Sequence, residues 1–216
     1  MNHYQEITII KSPDISPYFV WSKVFMQVHI ALVELKNKDD TVNIGVSFPE
    51  YRRFEKNDKI ISVLGSKLRV FAKSEDELRE LDLNQWLSRL SDYVHIKSIK
   101  SVPEKDVKNH LVVNKVDQIG NMERLTRRFA KRKNISFEAA KQQQIENYAK
   151  EKGISISKSA DLYDNPKLQS YPYIMMKSLS GNNQFSLEID QSETDQPQTG
   201  VFNTYGMSSK TTVPHW

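Results

Sequence analysis

Along the first hundred residues the spacing of apolar positions switches between two periods, and the switches predict alternating strands and helices. Tyr4–Ile10 (YQEITII) is short and β-branched, a strand pattern. Ser16-Pro17 is a helix-start pair. Trp21, Phe25, Val28, Leu32 and Leu35 then recur at three and four, predicting an amphipathic helix that ends near Asn37 to Asp40. In NIGVSF, Ile44, Val46 and Phe48 alternate with Gly45 and Ser47, which reads as a half-buried strand. Lys59–Leu64 and Lys67–Ala72 read as strand pieces around a Gly65-Ser66 turn. Ser74 with Glu77 forms a capping box for a helix carrying Leu78, Leu81, Trp86 and Leu90. Tyr93–Ile99 alternates again. The order strand, helix, strand, strand, helix, strand is that of the split βαβ, ferredoxin-like module, which serves RNA-binding proteins and unrelated enzymes alike.

The second half has a different texture. Asn121 is placed to cap a helix through Arg132, and Ser136 another that ends before Gly153, the expected C-cap glycine. Gly153–Tyr173 is polar, contains proline and shows little periodicity, so a loop is expected. Tyr173–Met176 and Phe185–Ile189 read as strands, and Asp190–Gly200 as a polar, acidic turn. The expected class is α+β: a ferredoxin-like (RRM-like) domain over 1–105, and an α/β domain over 106–216 that contains a basic helix at about 121–133.

Composition narrows the classes. The chain has 216 residues, 38% hydrophobic and 27% charged, as in globular proteins rather than collagenous or disordered ones. No apolar run approaches the ~20 residues that span a bilayer, and the start Met1-Asn2-His3-Tyr4 lacks a basic-then-apolar signal. A soluble cytoplasmic protein is expected. Cysteine is absent, which excludes a disulfide scaffold, thiolate metal sites and a Cys nucleophile. The five histidines (His3, His29, His95, His110, His215) show no metal-ligand spacing, and there is no glycine-rich phosphate loop or G-x-S-x-G elbow. No metal or cofactor is expected. The chemistry left over is proton transfer.

Charge is the sharper feature. The net charge is only +4, yet the 19 residues from Lys115 to Lys133 hold seven bases and two acids. All the positive excess lies in that segment. On a helix, Arg124, Arg127, Arg128, Lys131 and Arg132 cover an arc of about 140°, with Met122, Leu125 and Phe129 beside them to seat the helix. A merely solvated basic face is normally balanced by acids four residues away, and only Glu123 is present here. Like-charge pairs at i,i+4 cost roughly 0.2–0.5 kcal/mol each, so a polyanion is the favoured occupant. The planar guanidinium fork suits phosphates and guanine edges. The deep, narrow major groove of A-form RNA admits such a helix only beside a loop or bulge, so a short hairpin fits better than a long duplex.

From the residues alone, His29 at the edge of the apolar stripe reads first as a half-buried packing histidine. Ser178 in KSLSG reads as a turn serine and Tyr205 in NTYGMSS as a core tyrosine. No spacing rule links the three.

Taken together, NHYQEI, KVFMQVHIALVE, NIGVSFPE, NMERLTRRFAKRK, MMKSLSGNNQF and FNTYGMSSKTTVPHW resemble one family, the repeat-processing endoribonuclease of type I-F CRISPR systems. The pieces run in family order from end to end. The resemblance implies a ferredoxin-like N-terminal domain and a C-terminal half that clamps an RNA hairpin. It implies metal-free cleavage of precursor CRISPR RNA at the 3′ base of the repeat stem. There the upstream 2′-hydroxyl attacks the scissile phosphate to leave a 2′,3′-cyclic phosphate and a 5′-hydroxyl. Carried over position by position, His29 is the catalytic histidine, Ser178 positions the ribose 2′-oxygen, and Tyr205 orients histidine or substrate. Phe185 stacks beneath the stem's terminal base pair, and Arg127, Arg128, Lys131 and Arg132 lie on the major-groove helix. Where the family has an arginine and a glutamine reading bases, this chain has Lys115 and Asp117, or Gln118 if the loop shifts by one. Lysine still suits a guanine, whereas aspartate prefers a cytosine amine. The segment between the basic helix and Ser178 is longer than usual, as in a divergent or transposon-associated subtype. The implied partners are the repeat hairpin, the mature guide RNA and other subunits of the type I-F surveillance complex, with no membrane. Two other readings differ in class: a non-catalytic module that caps a guide RNA by binding its hairpin, and a DNA-binding basic helix.

Overall fold

A computed structural model describes residues 1–57, 59–116, 122–164, 170–178, 181 and 183–216. In chain order the first elements are β1 (His3–Ile9), α1 (Pro17–Glu34), β2 (Thr41–Val42), β3 (Gly45–Ser47), β4 (Arg52–Lys56), β5 (Lys59–Val63) and β6 (Lys67–Ala72). Then come α2 (Glu75–Leu81), α3 (Leu83–Trp86), β7 (Val94–Ile96), β8 (Lys100–Ser101) and β9 (Asn109–Val116). The rest is α4 (Met122–Lys133), α5 (Phe137–Lys152), α6 (Ile156–Asp164), β10 (Tyr173–Lys177), β11 (Gln184–Thr194), β12 (Phe202–Asn203) and β13 (Thr212–His215). The mixture of helices and strands is that of an α+β protein. Among the described residues no helix is long and apolar enough to cross a membrane.

The first sheet runs β3-β6-β1-β7, all antiparallel, with β8 sharing the β1 edge beside β7. One face lies under α1, whose Val24, Phe25, Val28 and Leu32 are fully buried. The other is covered by the chain's own C-terminal segment. A Cβ at Gly45 would stand 2.6 Å from Phe202 and 2.7 Å from Val213, so only glycine allows β12 and β13 to approach β3. Trp216 packs edge-on against Tyr4 and Phe71 on the same side. A second sheet, β10-β11-β9-β13, takes Pro214 on its edge strand, where a missing N–H costs least.

The compact units therefore divide the chain differently from a boundary at 105/106. One is Met1–Val116 with Ser170–Trp216; the other is Asp117–Gln169, described over 122–164. The reason is pairing: β9 lies between β11 and β13, which ties the C-terminal strands to the first hundred residues.

Five local expectations are corrected. The 59–64 segment does not pair with β6 across Gly65-Ser66; β5 pairs with β4 in a separate hairpin. The helix beginning at Ser74, whose capping box is present, stops at Leu81 instead of running to Leu90. Asp82 adopts φ 42° there, and its carboxylate accepts from the Gln85 N–H to start α3, the local competition to which short acidic side chains are prone. The expected 153–173 loop contains α6, begun by the Ser155 hydroxyl accepting from Lys158 N–H. The expected turn from Asp190 is strand as far as Thr194, because Asp190–Thr194 find ladder partners in His110–Asn114. Leu125 does not seat the basic helix: it is exposed, while the small Thr126 and Ala130 are buried. The Thr126 hydroxyl meets Gln144 and the Tyr163 hydroxyl, partners that a larger residue would displace. The α5 boundaries are as expected, with Ser136 accepting from Ala139 N–H and Gly153 in the left-handed conformation. Asn121, the expected cap of α4, lies outside the described residues.

Glu6 is the one buried acid of the first sheet. It stands directly across from Arg69, accepts from its Nε at 2.9 Å and from Lys97 Nζ at 2.7 Å. Burial pushes the carboxyl up, but the hydrogen bonds from Lys97 and Arg69 outweigh it, and the pKa is lowered. The stabilisation is thus present above the ordinary carboxylate range and lost as pH falls through the lowered value. Glu6→Ala leaves Arg69 uncompensated, and urea unfolding near neutral pH should show a loss of about 3–5 kcal/mol. The gap should close in acid; an unchanged gap at low pH contradicts the assignment.

Candidate active site

Helix α1 turns His29 to the edge of its apolar stripe, one residue past the fully buried Val28, so the imidazole is only half-buried. Its Nδ1–H donates to the backbone carbonyl of Thr204 at 2.8 Å. A carbonyl cannot donate, so this bond selects the neutral tautomer with its lone pair on Nε2. The Tyr205 ring lies parallel to the imidazole, 10° between planes and 4.2 Å between centroids. Burial lowers the His29 pKa below the ordinary value of 6.5, opposed by the Thr204 bond, which favours the charged form. The net result is a neutral imidazole at pH 7, oriented on two sides, able to accept a proton at Nε2.

The turn that supplies both contacts is Asn203-Thr204-Tyr205-Gly206. Gly206 N–H closes it onto the Asn203 carbonyl at 2.8 Å, and the Asn203 side chain accepts from the N–H groups of Tyr205 and Met207. Gly206 has φ +72°, and a Cβ there would approach Val46 to 2.7 Å. Thr204, Asn203 and Gly206 build the turn against His29, and sequence reasoning missed them. Asn at the first and Gly at the fourth place of NTYG is a turn signature that could have flagged them.

Ser178 follows the last residue of β10, a strand packed against α1. Its N–H donates to Asn183 carbonyl at 2.8 Å and its hydroxyl accepts from Gly181 N–H at 3.3 Å. It lies at the end of a cleft shared by α1 and β10. Phe185 is paired across from Met176 and half-buried against the core. Lys115 is half-buried on β9, opposite Ile189. Asp117 and Gln118 lie outside the described residues. In the second unit, Arg124, Arg127, Arg128, Lys131 and Arg132 are all exposed on α4, and Arg127 pairs with Glu123 at 3.1 Å. The structure thus brings His29 and Tyr205 into direct contact and sets Ser178 beside the helix that carries His29.

Fold and site together define an α+β protein carrying an oriented neutral imidazole and, separately, a strongly cationic helix. The model of the CRISPR-associated protein family Cas_Csy4 matches residues 4–216, and the chain belongs to that family. It is 30% identical over 216 residues to the CRISPR-associated endonuclease Cas6/Csy4 of Escherichia coli strain UTI89, and 29% over 215 residues to that of Pseudomonas aeruginosa strain UCBPP-PA14. Each alignment covers 99% of both chains. A solved structure described as "An RAMP protein binding different RNA substrates" is 14% identical over 99% of each chain, with a TM-score of 0.33, too slight a likeness to carry an argument.

An NMR titration should find His29 in the Nδ1–H tautomer with a midpoint below 6.5. Gly206→Ala forces an L side chain into the left-handed region, at a cost of about 1–3 kcal/mol. Thermal unfolding should move down accordingly, and the His29 midpoint should rise toward the ordinary value as its buried seat loosens. A midpoint unaffected by Gly206→Ala would show that the turn does not control the imidazole.

Proposed function

We propose that this chain is an endoribonuclease of CRISPR RNA maturation: it binds the repeat hairpin and cuts the precursor at the 3′ base of the stem. His29 Nε2 takes the proton of the upstream ribose 2′-hydroxyl. The 2′-oxygen bonds to the scissile phosphorus as the P–O5′ bond breaks, and the departing 5′-oxygen is protonated. The products are a 2′,3′-cyclic phosphate and a 5′-hydroxyl, and no metal takes part. Ser178 positions the 2′-oxygen, and Tyr205 holds the imidazole plane. Phe185 stacks beneath the last base pair. Arg124, Arg127, Arg128, Lys131 and Arg132 bind the phosphates of the stem. Lys115, with Asp117 or Gln118, reads bases near the cut.

The observation that carries this reading is the His29 imidazole held by the Thr204 carbonyl with Nε2 left to accept a proton, its pKa lowered by burial, since a general base must be unprotonated at working pH. The match to relatives named endonucleases supports it. The first sheet, β3-β6-β1-β7, supports the reading of 1–105 as a ferredoxin-like module. In the same reading 106–216 forms the clamp. Most affinity comes from the stem, which cutting leaves intact, so the protein keeps its product and caps the 3′ end of the guide in the type I-F surveillance complex.

Labelled repeat RNA in chelator should be cut to a cyclic phosphate. His29→Ala should lower the single-turnover rate by roughly 10²–10⁴-fold with little change in hairpin affinity. Direct formation of a linear 3′-phosphate, or normal cutting by His29→Ala, is incompatible with the mechanism. A wild type that binds the hairpin without cutting it would favour the guide-capping module. Five phosphate contacts should give a slope of log K against log salt of roughly −3.5 to −4.5, and duplex DNA should compete poorly.

A further inference from the structure

The face of α1 that carries His29 continues toward the helix N-terminus into a cleft of about 510 Å³ that, beyond Ser178 at its end, has no role in the chemistry above. Phe19, Met26 and His29 follow one another at seven and three residues, so they share one face, and Lys23 stands one turn after Phe19 beside them. Ten residues of helix from Phe19 to His29 span about 15 Å. Met175 and Lys177 on β10 form the opposite wall, which ends at Ser178.

Three properties of this cleft point to one kind of occupant. Its wall is apolar yet open to solvent, with Phe19 56% and Met175 39% exposed. Two ammonium groups edge it, and neither Lys23 nor Lys177 has an ion-pair partner among the described residues. The Lys23 amine is 5.1 Å from the Phe19 ring centroid. No acid lines it. The groove on the other flank of α1, of comparable size, sets Glu34, Glu80 and Asp82 against Lys23 and Arg89, so acids outnumber bases there and it suits a polyanion less well. A flat apolar surface between unpaired cations suits a nucleotide, base against the ring and phosphate at the amines.

The geometry points to a subsite for the unpaired nucleotides immediately 3′ of the scissile phosphate. Their bases lie against Phe19 and Met175, and their phosphates lie at Lys23 and Lys177. This rests on the cleavage reading above. Upstream of the cut the base is paired within the stem and enters a cleft only by breaking that pair. Downstream it is unpaired and can be splayed out. The downstream nucleotide also carries the leaving 5′-oxygen. Holding it on the helix face that bears His29 aligns that oxygen for displacement. After cutting, this short strand keeps only the cleft's contacts and departs while the stem stays.

The test compares a repeat hairpin carrying a 2′-deoxy block at the cut and a 3′ flank with a hairpin that ends at the cut. The wild type should bind the flanked form about tenfold more tightly, within the range of aromatic–base stacking. Phe19→Ala and Lys23→Glu, both at exposed positions, should erase that advantage without changing affinity for the unflanked hairpin, and Lys23→Arg should keep it. In single-turnover cleavage of a ribose substrate made abasic at the first two flanking positions, the wild type should slow. Phe19→Ala should add nothing further. No advantage from the flank in the wild type, or equal weakening of both hairpins by the variants, overturns the subsite. If the wild type gains affinity from the flank but cuts no ribose substrate, the subsite stands and the cleavage reading falls. Failure to bind any hairpin overturns both.

Discussion

The hydrogen bond from His29 Nδ1 to the Thr204 carbonyl joins the first helix to a turn 175 residues away, and the candidate site depends on it. It fixes the tautomer and the plane of the ring and leaves Nε2 pointed away from the backbone that holds it. The bond exists because the C-terminal segment returns to the first sheet. That return needs two glycines: Gly45, where a methyl group would collide with Phe202 and Val213, and Gly206, whose φ of +72° turns the chain at Tyr205. Burial from this packing also lowers the imidazole pKa. Packing, conformation and proton affinity are thus consequences of one arrangement.

The second unit obeys a different constraint. Cations crowded on one face of α4 repel one another, so the helix has to be held from the opposite side. Small residues do this: Thr126 and Ala130 let α4 sit close to α5, and the Thr126 hydroxyl is satisfied by Gln144 and Tyr163. The charged arc is exposed along its length. A bulky apolar seat at Leu125 and Phe129 would have turned part of that arc toward the protein.

Much of this was legible along the chain because it rests on near neighbours. The α1 stripe, the Ser74–Glu77 capping box, the Ser136 cap and the Gly153 stop are each determined within a few residues. The crowding of bases between Lys115 and Lys133 needs only counting. Errors arose where partners are distant. The polar Asp190–Thr194 segment is strand only because β9 pairs with it, and 59–64 leaves the main sheet only because Arg52–Lys56 pairs with it instead. Asp82 breaks a helix by a competition between side chain and backbone that helical periodicity does not register.

By itself, the order of residues determined helices α1 and α5, the Ser74 and Ser136 caps, the concentration of positive charge and the set of residue types fit for proton transfer. Those follow from local geometry and from charge, which are properties of short stretches. Tertiary structure alone decided that His29 meets Thr204 and Tyr205, that burial lowers its pKa, and that Phe19, Lys23 and Met175 share one cleft. Contacts of that kind join segments more than 140 residues apart, and hydrogen-bond direction, ring stacking and desolvation exist only once the folded chain has brought those segments together.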